Sequence, residues 1–280
     1  MGSVDWLVGV CAAAALSWTS TAHALSMTVV PADHRIEVAA GGSETREITV
    51  TNNGTGSITV TSYSWDWWYQ PDGSHQFAPP GTFDRSGATW VDIFPREMVV
   101  PAGQTSTLTV SVEMPQDTQG GYYAVAFIEA RAGAMESQGA AIRPGGRIAV
   151  PLLMQAEGTE THAVRLVDTD ITPPSATQPL KLAMRTLNVG DTHEFPEFMG
   201  AIRSTDDARF VGRFRGHPTR ILPGQERSVG ASWSGDLAPG SYEVVGSLIY
   251  SEGRTEAVRE AFSIAAKREE DDGSLNVWLP

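Results

Sequence analysis

The chain has 280 residues, 41% hydrophobic and 19% charged, with a formal net charge of −13. That length suits two domains of ordinary size, and the mixture is too apolar for a disordered chain. The net charge of −13 comes with only two lysines, Lys181 and Lys267, so a phosphate-neutralising surface is not expected, and neither is nucleic acid as a partner.

The N-terminus opens with an apolar run from Trp6 to Trp18, followed by Ala22-His23-Ala24, which fits the small-x-small pattern of an export signal cleaved after Ala24. A buried helix or a retained anchor is the competing reading. Cys11 lies inside this segment, so the mature chain would carry no cysteine and would hold together by packing alone. No central stretch of 18 apolar residues follows, and contact with a membrane is expected only during export.

From Met27 to Ala156 short alternating segments are separated by Gly, Pro and Asn, the period-2 pattern of half-buried antiparallel strands. Ile48 and Val50 precede the turn signal Asn52-Asn53-Gly54, and Ile58 and Val60 resume the alternation after it, which predicts a hairpin. Alternation then places Tyr63, Trp65, Trp67 and Tyr69 on one side of a strand, opposite in parity to Ile58 and Val60. Either a bulge near Thr61 and Ser62 turns this row into the sandwich core, or the row stays outside as a platform for glycan or protein, with Asp66 facing solvent. The loop from Tyr69 to Thr89 suggests extra surface. Further on, Leu108, Val110, Val112 and Met114 mark one buried face.

The passage from Arg131 to Gly146 is rich in Gly and Ala and is expected to be a long flexible loop. It leads into a strand in which Ile148, Val150, Leu152 and Met154 share a face. Pro151 removes a ladder donor, so this strand is expected at a sheet edge, and exposed apolar edges invite partners.

A second strand series runs from about Ala163 to Ala265, with Leu180, Leu182 and Met184 alternating. Val100-Pro101-Ala102-Gly103-Gln104 followed by Gly121-Tyr122 matches Leu222-Pro223-Gly224-Gln225 followed by Gly240-Ser241-Tyr242, so the halves look like divergent repeats. Leu237 to Tyr242 has the shape of a tyrosine corner, in which the phenol bonds back to the backbone. The expected architecture is all-β: two tandem immunoglobulin-like β-sandwich domains, residues 25–158 and 159–266, after a signal peptide at 1–24. A charged tail, 267–280, ends in Leu275-Asn276-Val277-Trp278-Leu279-Pro280 and is either frayed or a docking peptide.

Signs of catalysis are missing. There is no mature Cys, no G-x-S-x-G elbow, no phosphate-binding or dinucleotide loop, and His34, His75, His162, His193 and His217 are scattered singly. The expectation is a binding protein, with no enzymatic activity, no cofactor and no metal.

In Arg35-Ile36-Glu37-Val38, in Ile48 to Asn52, in Trp90 to Pro95 leading to Pro101-Ala102-Gly103, and in the alternating strand at Ile148 to Met154, the chain resembles periplasmic pilus-assembly chaperones of the usher pathway. The resemblance covers both domains. It implies a periplasmic protein whose partners are pilus or cell-surface subunits, with Ile148, Val150, Leu152 and Met154 lent to an incomplete subunit by strand addition. It also implies basic residues in the inter-domain cleft that hold a subunit's terminal carboxylate, for which Arg35 and Arg147 are the candidates. The family's cleft lysine has no counterpart, since no Lys precedes Lys181. The alternative is a cell-envelope scaffold or adhesion module using the aromatic row of Tyr63, Trp65, Trp67 and Tyr69.

Overall fold

The computed structural model describes residues 25–266 apart from 71, 72, 134, 138, 139, 143 and 176. The expected signal peptide, 1–24, and the charged tail, 267–280, lie outside the described residues. Within them the regular structure is β-sheet, interrupted by two short 3-10 turns.

In the first half the strands are β1 (Met27–Val30), β2 (His34–Val38), β3 (Ser43–Asn52), β4 (Ile58–Tyr69), β5 (His75–Ala78), β6 (Val91–Phe94), β7 (Glu97–Val100), β8 (Thr105–Glu113), β9 (Gly121–Ala132), β10 (Met135–Ser137), β11 (Ala140–Ile142) and β12 (Gly145–Ala156). They form one sheet in the order β1-β3-β8-β6 and a second in the order β2-β12-β9-β4-β5, with β7 also on β4. The second half has β13 (Val164–Thr172), β14 (Leu180–Asn188), β15 (Glu197–Ser204), β16 (Phe210–Arg215), β17 (Glu226–Trp233), β18 (Gly240–Ile249) and β19 (Thr255–Ile264). Its sheets are β13-β14-β17 and β16-β15-β18-β19. The chain is thus two tandem β-sandwiches, as the alternation implied.

Each sandwich closes over its own core. Leu108, Val110 and Val112 are fully buried in the first, joined by Ile48, Val50, Ile58 and Val60. Leu180, Leu182 and Met184 do the same in the second. Burying one such side chain contributes roughly 1.5–3 kcal/mol, so cores of this size hold without a disulfide.

The expected hairpin at Asn52-Asn53-Gly54 does not form, because β3 and β4 lie in different sheets. Asn52 is the reason. Its Nδ2 donates to the carbonyls of Gly56 (2.8 Å) and Val100 (2.9 Å), and its Oδ1 accepts the N–H of Gly54 at 3.0 Å. These bonds carry the chain across the sandwich instead of back along the same sheet.

The second half repeats the device. Asn188 Nδ2 donates to the carbonyls of Thr192 (2.7 Å) and Ile221 (2.9 Å), and its Oδ1 accepts from Gly190 at 2.9 Å. The backbones match too: Gly103 N–H donates to Asn52 O and Asn52 N–H to Gln104 O, while Gly224 N–H donates to Asn188 O and Asn188 N–H to Gln225 O. Gly103 and Gly224 sit at φ of 70° and 71°, a left-handed conformation in which a Cβ would be strained. The repeat inferred from Pro-Ala-Gly-Gln and Leu-Pro-Gly-Gln is therefore a structural one. The tyrosine corner is also present, with the Tyr242 hydroxyl donating to Ala238 O at 2.8 Å.

The passage from Arg131 to Gly146 differs from the expected flexible loop. β9 extends to Ala132, β12 starts at Gly145, and β10 and β11 between them pair antiparallel, Met135 opposite Ile142. Gly and Ala suited a loop by composition, but the long β9–β12 ladder carries the pairing outward.

Candidate functional site

The strand singled out by its alternation, β12, has two unlike halves. It pairs antiparallel with β9 along nearly its full length, from Gly145 opposite Arg131 to Gln155 opposite Gly121. On its other side β2 pairs with it in parallel only from Leu152 to Ala156. Among the described residues no strand covers that side of Gly145 to Pro151.

Hydrogen-bond parity says what this open edge offers. Ala132 N–H donates to Pro144 O and Ala156 N–H to Gly120 O, both at 3.0 Å, so the even-numbered residues of β12 bond toward β9. Glu157 N–H donates to Val38 O at 3.0 Å, so odd-numbered residues face the other way. The open edge therefore presents the N–H and C=O groups of Gly145, Arg147 and Ala149, and the pairing with β2 begins beyond them at Leu152. The donor that Pro151 lacks is one that β9 never needed, which explains how a proline sits inside a twelve-residue strand.

The side chains are placed differently from the expectation. Ile148, Val150, Leu152 and Met154 do share a face, but it is the inward one: Val150 is 1% exposed and Leu152 and Met154 are 0% exposed, all in the first core. Leu152 and Met154 also lie on the half already paired with β2. Of the four, Ile148 alone keeps appreciable accessible surface.

The aromatic row obeys neither expected arrangement. β4 pairs with β9 without a break from Ile58 to Trp65, so no bulge switches faces. Ile58, Val60 and Ser62 point into the first core, and Asp66 follows them inward. Asp66 is 0% exposed and does not face solvent. Its carboxylate accepts the N–H groups of Thr82 (2.7 Å) and Phe83 (3.1 Å) and the hydroxyl of Ser86 (2.5 Å).

Tyr63, Trp65, Trp67 and Tyr69 lie on the outer face of the sheet, where a third apolar cluster includes Tyr123, Phe127, Leu153, Leu222 and Phe195. Leu222 and Phe195 belong to the second half. Trp67 is 1% and Tyr69 9% exposed, while Tyr63 and Trp65 are half-buried. The row is thus largely covered by the contact between the sandwiches. Guanidinium groups close it off: Arg227 lies 4.1 Å from the Tyr69 ring centroid, Arg147 4.2 Å from that of Phe127, and Arg220 5.7 Å from that of Trp67.

Next to this contact is a cleft of about 380 Å³ lined by Arg35, Leu153, Gln155, Glu160, His193 and Phe195, among others. Arg35 is exposed on β2 and stacks 3.9 Å over Phe195. It has no carboxylate partner among the described residues. Arg147 is not in the cleft, which corrects its pairing with Arg35: it stands six positions along β12 from Leu153, the residue opposite Arg35. At about 3.3 Å per residue that is roughly 20 Å away. There it donates to the Tyr63 hydroxyl at 3.2 Å.

The second cation near the cleft is one that sequence reasoning missed. Arg220 pairs with Asp33 and lies 5.5 Å from the Phe195 ring. Nothing local in Pro218-Thr219-Arg220 signals this role. Glu194 was missed as well. It is fully buried, with its carboxylate 2.8 Å from His162 Nδ1 and accepting the Ser251 hydroxyl at 2.7 Å. His193 beside it is held neutral: burial first, then Arg35 and Arg220, lower its pKa to about 3. Among the described residues no three His, Cys, Asp or Glu side chains gather as a metal site.

No protein-family model matches the chain. No curated protein matches it either. Solved pilus chaperones are among the structures it resembles. The class 5 fimbriae chaperone CfaA is 11% identical, with 84% of this chain and 98% of that one covered and a TM-score of 0.45. The chaperone–tip adhesion subunit pre-assembly complex CsuC–CsuE of Acinetobacter baumannii gives 13% identity, coverages of 84% and 97%, and a TM-score of 0.42. The SafA pilin–SafB chaperone complex of Salmonella enterica gives 14%, 87% and 98%, and 0.42.

Proposed function

We propose that this protein is a chaperone-like binding protein of the periplasm that caps a pilus or surface subunit by strand addition along Gly145 to Pro151. The observation carrying this reading is the half-covered β12: among the described residues, three outward N–H groups and three outward carbonyls in register, with a half-buried Ile148 beside them. In this reading the mature chain starts after Ala24, its domains divide near residue 158, and it carries no catalytic step. Arg35, exposed and without a carboxylate partner among the described residues, is the residue for a subunit's terminal carboxylate. The rival reading of an aromatic docking platform is disfavoured because Trp67 and Tyr69 are covered.

Ala149→Pro tests it. This change removes an outward N–H, leaves the β9 ladder whole and asks of Ile148 only the extended backbone it already has. On co-expression with a fimbrial subunit lacking its final strand, the expected result is loss of the soluble one-to-one complex with little change in melting temperature. In the unchanged complex the amides of Arg147 and Ala149 should exchange far more slowly than in the free protein. Capture undiminished by Ala149→Pro, together with unslowed exchange at those amides, would overturn the proposal.

A further inference from the structure

We infer that the outer face of the sheet β16-β15-β18-β19 is the docking site of this chain's own C-terminal segment, residues 267–280. Phe198 and Ile202 are fully buried in the second core, so Met199, Ala201 and Arg203 between and beyond them point outward. Met199 is 47% and Phe210 58% exposed, and with Ala201 and Val245 they line an open groove of about 790 Å³. Two large exposed apolar side chains in one groove with a polar rim form a surface on which an apolar segment can dock.

The rim of the groove is cationic although the chain is strongly acidic. Arg203, Arg213, Arg215 and Arg259 share this face. Glu243 is bonded to both Arg203 and Arg259, and Glu197 to Arg215. Arg213 has no carboxylate partner among the described residues. The segment after β19 is the complement: Glu269-Glu270-Asp271-Asp272, a Gly-Ser step, then Leu275-Asn276-Val277-Trp278-Leu279. An acidic run followed by an apolar one matches an arginine rim around an apolar floor.

The reach suffices. β19 ends opposite Gly240, and the groove lies opposite Arg259, five positions back and up to three strands across. At about 3.3 Å per residue and about 4.8 Å per strand the separation is roughly 22 Å. Nine residues from Ala266 to Leu275 span up to about 30 Å, so Trp278 can reach Met199 and Phe210.

The test compares the full chain with a variant ending at Ala266, using methyl-labelled methionine and the Met199 signal assigned through Met199→Leu. Truncation should shift that signal, and a synthetic peptide of residues 267–280 should restore it. Trp278→Ala in the peptide should weaken binding at least about tenfold, and high salt should weaken it further. Trp278→Ala in the full chain should shift Met199 in the same direction, which covers the case of a truncated chain that does not fold. An unmoved Met199 signal in both variants overturns the inference. So does a Met199 shift that disappears on dilution of the full chain, since the occupant would then be a second copy.

Discussion

The same turn occurs in both sandwiches with opposite surroundings. Pro101 to Gln104 is exposed, whereas Ile221, Leu222 and Pro223 of the matching turn are buried and Gln225 donates to Tyr69 O at 3.0 Å. The local hydrogen bonds to Asn52 and Asn188 are alike, so local sequence makes the turn. What the turn does depends on where the sandwich puts it: the first copy meets water, and the second is a plug in the aromatic face of its neighbour. The difference teaches that this chain builds its inter-domain contact from a repeat unit that was already a rigid turn.

Loss of either turn asparagine should have the largest effect, and an equal one in the two sandwiches. Asn52→Ala and Asn188→Ala each leave buried backbone groups unpaired, and each should cost about 3 kcal/mol in chemical denaturation. A large disparity between them would show that the two turns are not equivalent. Leu222→Ala should cost about 2–4 kcal/mol because the cavity opens in a packed contact, while Pro101→Ala, its exposed counterpart, should stay within about 0.5 kcal/mol. Equal effects would mean the plug contributes nothing.

Acid should loosen the same contact. His193 has its pKa lowered to about 3 in the folded chain against 6.5 as its ordinary value, so the unfolded chain binds the proton first. Its contribution is fully present above 6.5 and is lost as pH falls toward 3, amounting to roughly 1.4 kcal/mol by pH 5.5. His34 and His75, both lowered chiefly by burial, act in the same direction. Melting curves from pH 7 to 5 should show this slope, and His193→Gln should flatten it; an unchanged slope would assign the effect elsewhere. Arg147→Lys, which keeps the charge but loses the planar stack on Phe127, should cost only about 0.5–1 kcal/mol in chemical denaturation.

Much of the fold was legible because alternation is a local property. Leu108, Val110 and Val112, or Leu180, Leu182 and Met184, announce a buried face wherever the strand ends up, and Pro151 announces a missing donor. The hairpin at Asn52 failed because a turn signal does not say which sheet receives the next strand.

Length, charge, period-2 patterning, the paired Gly-Gln turns and the tyrosine corner were determined by sequence alone, since each rests on neighbours within a few residues. Tertiary structure alone decided that the aromatic row faces the other sandwich, that Asp66 is buried, that Arg220 and not Arg147 stands by the cleft, and that among the described residues only half of β12 is covered. Those outcomes depend on which distant surfaces meet, and residues such as Trp67 and Leu222 are brought together only when both sandwiches have closed.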